Sequence, residues 1–151
     1  MAKTKYGKYL LTDFQSTPPA YAAYAIEGPQ WGMSGARSIP GASANFGGEL
    51  FPKPILLEKE PHTHDADEYL LFMGGQLPDL FSNFDAEIDF WIGEEQEKYV
   101  ITKPTIIFIP KGLLHTPLNF RKINKPVFFN VILMAPKFTK RINGELISFD
   151  D

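Results

Sequence analysis

The sequence predicts an all-β domain, a sandwich or barrel of short strands preceded by a loop-rich arm. Three observations carry that prediction. Short apolar runs recur between Gly and Pro turns along the last hundred residues. One of them, Asp85–Ile92, alternates apolar and polar positions as a half-buried strand does. No capping box opens a long stretch of period 3.6, so helix signals are absent.

The elements follow in order. Residues 1–48 read as an irregular arm, punctuated by Ser16-Thr17-Pro18-Pro19, Gly28-Pro29 and the glycines Gly32, Gly35, Gly41, Gly47 and Gly48. Aromatic anchors stud it: Tyr6, Tyr9, Phe14, Tyr21, Tyr24 and Trp31. Residues 49–151 read as the barrel. Leu50–Leu57 is apolar but broken by Pro52 and Pro54, which suits an edge or irregular strand. Tyr69–Met73 is a short strand stopped by Gly74-Gly75. Asp85–Ile92 places Ala86, Ile88, Phe90 and Ile92 on one face. The turn Gly93–Glu97 then leads into Lys98–Thr102, completing a hairpin. Thr105–Ile109 is a β-branched run ending at Pro110. Pro126–Ala135 puts Val127, Phe129, Val131 and Leu133 on one side.

Composition narrows the function classes. The 151 residues fit one domain with a real core. With 44% hydrophobic and 22% charged residues the chain is neither disordered nor fibrous. Lys plus Arg number 15 against 18 Asp plus Glu, so the basic excess of an electrostatic nucleic-acid binder is missing. The absence of cysteine removes disulfides, thiol catalysis and Fe–S or cysteine-zinc sites. No apolar run approaches the ~18 residues of a membrane span. The basic N-terminus is followed by no apolar signal core, and a cytoplasmic protein is expected. The Gly spacing matches neither a P-loop nor a dinucleotide fingerprint.

Only three histidines are present, so their placement carries weight. Two lie in Pro61-His62-Thr63-His64-Asp65-Ala66-Asp67-Glu68. In a strand, residues two apart share a face, so His62 and His64 set two imidazoles side by side. Glu68 follows at a distance that crosses a tight turn and re-enters on the next strand. The third histidine lies in Pro110-Lys111-Gly112-Leu113-Leu114-His115. There Pro110 ends a strand, Gly112 permits a bend and His115 begins the next strand.

These two segments resemble the motifs of the cupin family, G-x5-H-x-H-x3,4-E-x6-G and G-x5-P-x-G-x2-H-x3-N. His62, His64, Glu68 and Gly75 match the first; Pro110, Gly112, His115 and Asn119 match the second. The leading glycines are replaced by Leu56 and Pro104, positions that serve turns rather than a metal. The resemblance spans about half of the chain and leaves the first fifty residues uncovered. It implies a double-stranded β-helix, a jelly-roll barrel of two antiparallel sheets. It implies one divalent transition metal (Fe, Mn, Ni, Co or Zn) held by His62, His64, Glu68 and His115, a donor set of nitrogen and oxygen that suits those ions. The function it implies is a metal-dependent enzyme acting on a small oxygen-rich or aromatic acid, with a non-catalytic binding or sensing protein as the alternative.

Other residues take secondary roles in this reading. Leu70 and Phe72 share the phase of Glu68 and would line the cavity. Asn119, and Trp31 and Arg37 from the arm, are candidates to touch substrate. Asp65 and Asp67 read as turn residues, Asp67 being able to orient a histidine. A general acid or base is not assigned. Two other His-x-His families are excluded. Metallo-β-lactamase-like hydrolases need His-x-His-x-Asp-His, where this chain has Ala66 and Asp67. Amidohydrolases need a (β/α)8 barrel of roughly 250 residues. A small-molecule ligand and a homodimer are expected, without nucleic acid or membrane, because exposed sheet edges are usually covered or paired.

Overall fold

The computed structural model describes residues 4–15 and 28–148. Tyr21 and Tyr24 of the expected arm lie outside the described residues. The strands are β1 (Gln30–Ser34), β2 (Asn45–Phe51), β3 (Ile55–Glu58), β4 (Glu68–Gly74), β5 (Ala86–Ile92), β6 (Glu97–Ile101), β7 (Thr105–Ile109), β8 (His115–Ile123), β9 (Val127–Leu133), β10 (Thr139–Ile142) and β11 (Glu145–Ser148). The helical elements described are a 3-10 turn at Gly7–Tyr9 and the four-residue helix α1 at Gly35–Ser38.

The strands form two main antiparallel sheets, in the orders β1-β2-β9-β4-β7 and β3-β8-β5-β6, with β10-β11 as a separate hairpin. Neighbours distant in sequence pair in both sheets, as a jelly roll requires. The inner faces meet over an aromatic core in which Phe51, Phe72, Phe90, Phe120 and Phe129 are fully buried. Phe120 lies 4.4 Å from Phe51 and 5.5 Å from Phe129 between ring centroids, in tilted and edge-on arrangements that aromatic quadrupoles favour.

The alternation read in Asp85–Ile92 is realised: Ala86, Ile88 and Phe90 are buried and pair with β8 and β6. Asp89, on the other face, is nonetheless buried, because Arg121 closes over it with hydrogen bonds of 2.8 and 3.3 Å. The run Leu50–Leu57 departs from expectation. Pro52-Lys53-Pro54 divides it into β2 and β3, which join different sheets; β2 is interior, while β3 is an edge strand with a register shift, as the prolines suggested. The five-stranded sheet also begins earlier than expected. Gln30–Ser34 pairs with Asn45–Glu49 inside the stretch read as loop. Gly48 explains the difference, since a Cβ there would lie 2.3 Å from Trp31 Nε1 and 2.7 Å from Asn130 Oδ1. The glycine marks a crossing of side chains over a strand, not a loop.

Candidate metal centre

His62 and Thr63 form an isolated bridge segment rather than a regular strand. His62 and His115 exchange both backbone hydrogen bonds at 3.0 Å, and Thr63 and Arg141 of β10 exchange theirs at 3.0 and 2.8 Å. Asp67 does not orient a histidine. Its Oδ1 accepts the Lys111 amide at 2.8 Å, while the Gly112 amide reaches the His64 carbonyl at 3.0 Å. These bonds clip the two motif segments together, and Gly112 adopts φ +83°, a conformation suited to glycine. At Gly75 a Cβ would come within 2.2 Å of Leu50 Cδ1, so that side chain would have to turn aside.

The four expected ligands converge. His62, His64, Glu68 and His115 are all buried. The candidate ligand atoms of the three imidazoles lie within 4.8 Å of one another. Glu68 sends one oxygen to 3.1 Å from His64 Nε2 and the other to 3.1 Å from His115 Nε2.

Each ring is held by its other nitrogen. His62 Nδ1 lies 3.2 Å from the Glu60 carbonyl, His64 Nδ1 2.6 Å from the Thr139 carbonyl and His115 Nδ1 2.8 Å from the Leu113 carbonyl. A carbonyl oxygen only accepts, so each Nδ1 carries a proton, and a ring in its neutral form then keeps its lone pair on Nε2. Thr116 Oγ1 adds a contact of 3.0 Å to His62 Nδ1 and donates to the Glu60 carbonyl at 2.6 Å. Thr116 has φ +75°, an outlying conformation for a β-branched residue, directly beside His115.

This arrangement fits a cation. His64 Nε2 and His115 Nε2 are buried without a hydrogen bond, despite their proximity to Glu68. The 3.1 Å nitrogen–oxygen separations match the edge between two ligands at right angles on bonds of about 2.1 Å. Electrostatics agree. Burial, reinforced by the other two imidazoles, pushes His62 down to about 2, keeping it neutral. Burial raises the Glu68 carboxyl, but His115 and His64 more than offset it and hold the group well below the usual carboxylate range. For His64 burial acts downward, and the pull of Glu68 and the Thr139 carbonyl carries the net shift upward.

The centre opens on a cavity of about 30 Å³, walled by the four residues, by Leu57, Leu70 and Phe138, and by Glu58 and Lys140. Lys140 Nζ stands 3.2 Å from Glu58. Burial raises the Glu58 carboxyl, against the opposing charge and hydrogen bond of Lys140. Of the other expected site residues, Leu70 lines this cavity. Phe72 lies in the core against Phe120 and Phe129. Asn119 pairs with Asp89 on the outer face of the four-stranded sheet. Trp31 stacks on Phe128 and donates to Asn130 on the outer face of the other sheet. Arg37 is exposed on α1. None of these last four lines the cavity. Sequence reasoning missed Glu58, Phe138, Thr139 and Lys140. A signal for three of them existed: Asn143-Gly144, both at positive φ, is a strong two-residue hairpin turn and marks β10–β11.

Neither a family model nor a curated protein sequence matches the chain. Solved structures do. Vicilin from Corylus avellana (hazelnut) superposes with TM-score 0.56 at 13% identity, over 90% of this chain and 35% of that one. The chain has the cupin jelly-roll fold. Oxalate decarboxylase from Bacillus subtilis gives TM-score 0.49 at 12% identity, over 94% of this chain and 34% of that one. The chain spans about a third of the length of these structures. At such identities the likeness bears on fold alone. No helix among the described residues is long and apolar enough to cross a membrane.

Proposed function

We propose that His62, His64, Glu68 and His115 hold one divalent transition metal (Fe, Mn, Ni, Co or Zn) and that the protein is a metal-dependent enzyme acting on a small oxygen-rich acid. The observation that carries this reading is the shared tautomer. Three buried rings each spend Nδ1 on a backbone carbonyl, their ligand atoms lie within 4.8 Å of one another, and His64 and His115 turn Nε2 toward the Glu68 carboxylate. Bound there, the metal supplies Lewis-acid polarisation of a substrate oxygen or, if redox-active, activation of dioxygen.

The chain's own residues do the rest. Lys140 presents a positive charge to the carboxylate of a substrate entering the cavity. Glu58, beside it, holds or releases a proton and fills the general acid–base role. Leu57, Leu70 and Phe138 exclude water and keep the surroundings of low dielectric. A cavity of about 30 Å³ accommodates little more than water-sized groups, which favours a compact hydroxy or keto acid over an aromatic one. The same small volume favours the alternative, a non-catalytic binding protein with a structural metal.

The test loads the protein separately with Fe, Mn, Ni and Zn and incubates it with small hydroxy acids, keto acids and dicarboxylates. Substrate conversion is expected, with oxygen uptake for a dioxygenase and without it for an isomerase or lyase. Stabilisation by an acid without turnover supports the alternative. Failure to retain any of the metals overturns both.

A further inference from the structure

The two sheets differ on their outer faces. The outer face of β3-β8-β5-β6 carries Glu87, Asp89, Lys98 and Arg121, tied by ion pairs of 2.8 to 3.8 Å. The outer face of β1-β2-β9-β4-β7 carries no charged side chain among the described residues. Its outward positions alternate as Trp31 and Met33, Phe46 and Leu50, Phe128 and Ile132, Tyr69 and Met73, Ile106 and Phe108, with Asn130 as the one amide. An antiparallel sheet with one face in water normally alternates apolar-in and polar-out. This one is apolar on its outward face as well.

Part of that face is covered by the chain itself. The Gly32 amide donates to the Phe14 carbonyl at 2.9 Å, and Leu11 and Phe14 share with Trp31, Met33 and Phe46 the walls of one hollow. The arm thus lies over the β1–β2 end. The β4–β7 end is open. There Ile106 is 69% exposed, Phe108 49% and Tyr69 39%, with the Tyr69 and Phe108 rings 5.2 Å apart. A groove of about 450 Å³, with Lys103 in its lining, continues the surface past the free edge of β7 to Tyr99 and Val100 of β6.

We propose that this β4–β7 end of the five-stranded sheet docks a second copy of the chain, giving a twofold dimer with β7 at its centre. The chemistry selects the occupant. The strands of this face present no charge and Lys103 is the one charged residue lining the groove, so the surface offers little to phosphates, headgroups or a charged peptide, whereas an apolar face is complementary to itself under a twofold rotation. Depletion of charge at the centre of the patch is the composition of homodimer interfaces. The area is adequate. At roughly 150–250 Å² per large side chain, the exposed parts of Tyr69, Tyr99, Val100, Ile106 and Phe108 alone present on the order of 450 Å². Half-buried Leu71, Met73 and Ile132 extend it toward the ~800 Å² that each partner gives to a standard interface.

Light scattering on the full chain at tens of micromolar tests this directly. The expected mass is twice the 17.0 kDa of the chain. The double substitution Ile106→Lys, Phe108→Lys falls on exposed side chains and should halve the mass with the circular dichroism spectrum unchanged. Lys122→Glu, on the four-stranded sheet, should leave it unchanged. A mass of 17.0 kDa for the unaltered chain, a dimer that survives the double substitution, or one broken instead by Lys122→Glu overturns the proposal. Should the double variant misfold, hydrogen exchange on the unaltered chain decides. Protection of the β7 amides must rise with protein concentration, and protection independent of it also overturns the proposal.

Discussion

His115 is committed three ways: its backbone bridges to His62, its Nδ1 reaches the Leu113 carbonyl and its Nε2 faces Glu68. Removing the ring loses the last two, while the backbone pairing persists in any residue. His115→Ala is therefore expected to lower metal content sharply, read by elemental analysis, while far-ultraviolet circular dichroism stays that of the folded barrel. Unchanged metal content would remove His115 from the ligand set. At this scale the sequence was informative where spacing alone decides geometry. His62 and His64 two apart, Glu68 four further on and the Pro110-x-Gly112-x-x-His115 bend name residues that the fold brings together. It was silent where a partner arrives from far along the chain. Thr139 meets His64 across 75 positions and Lys140 meets Glu58 across 82, and no local pattern encodes either contact. Phe72, expected to line the cavity with Leu70, packs in the core instead, and Asn119, Trp31 and Arg37 lie outside the cavity walls, because strand phase or motif membership alone does not say how far along a sheet the hollow extends.

Elements were legible where alternation was clean and misread where glycine or proline stood for something other than a turn. β5 and β9 follow the apolar phase read for them, and β7 coincides with the run Thr105–Ile109. β2 hides behind Gly47-Gly48, and those glycines argued for a loop although the strand is an interior member of its sheet. The physical reason is the indole of Trp31, which crosses β2 to donate to Asn130 Oδ1 at 3.2 Å over the bare Cα of Gly48. Gly48→Ala makes that reasoning testable. Its methyl would sit 2.3 Å from Trp31 Nε1, so the ring must move, the hydrogen bond is lost and the β1–β2 pairing is strained. A destabilisation of about 1–3 kcal/mol in denaturant unfolding is expected, the range for overpacking a filled site. Quenched or shifted tryptophan fluorescence should accompany it. Equal stability would mean that the crossing is slack. The β10–β11 hairpin illustrates the converse, for Asn143-Gly144 announced it and the short strands on either side were not read as strands. That hairpin supplies the Thr139 carbonyl, Phe138 against the His64 ring and Lys140 at the cavity wall.

At the scale of the whole molecule, the metal-free barrel carries buried titratable groups that oppose one another in pH. Glu49 is the largest of the alkaline set. It points into the core from β2 opposite Phe129, is 0% exposed, and neither carboxyl oxygen has a hydrogen-bond partner. Burial pushes it up to about 8. Its folded form binds a proton that the unfolded chain releases near 4.5, so stability falls as pH rises from about 4.5 through about 8. His64, also raised, adds to the fall above its ordinary value of 6.5. His62 acts in the opposite sense. Its folded value is depressed to about 2, so the unfolded chain binds the extra proton and stability is lost as pH drops below 6.5. Glu68, depressed as well, deepens the loss below 4.5. Stability of the metal-free protein should therefore peak in mildly acidic solution and decline on both sides. Glu49→Gln keeps the shape of the side chain and removes the ionisation. At 1.36 kcal/mol per pH unit it should raise stability at pH 7 by on the order of 3 kcal/mol and flatten the alkaline limb, leaving the acid limb in place. Denaturant unfolding from pH 4 to pH 9 checks both limbs. A variant that still loses stability between pH 5 and pH 8 as steeply as the parent would show that Glu49 is paired in solution and that the decline belongs to other groups.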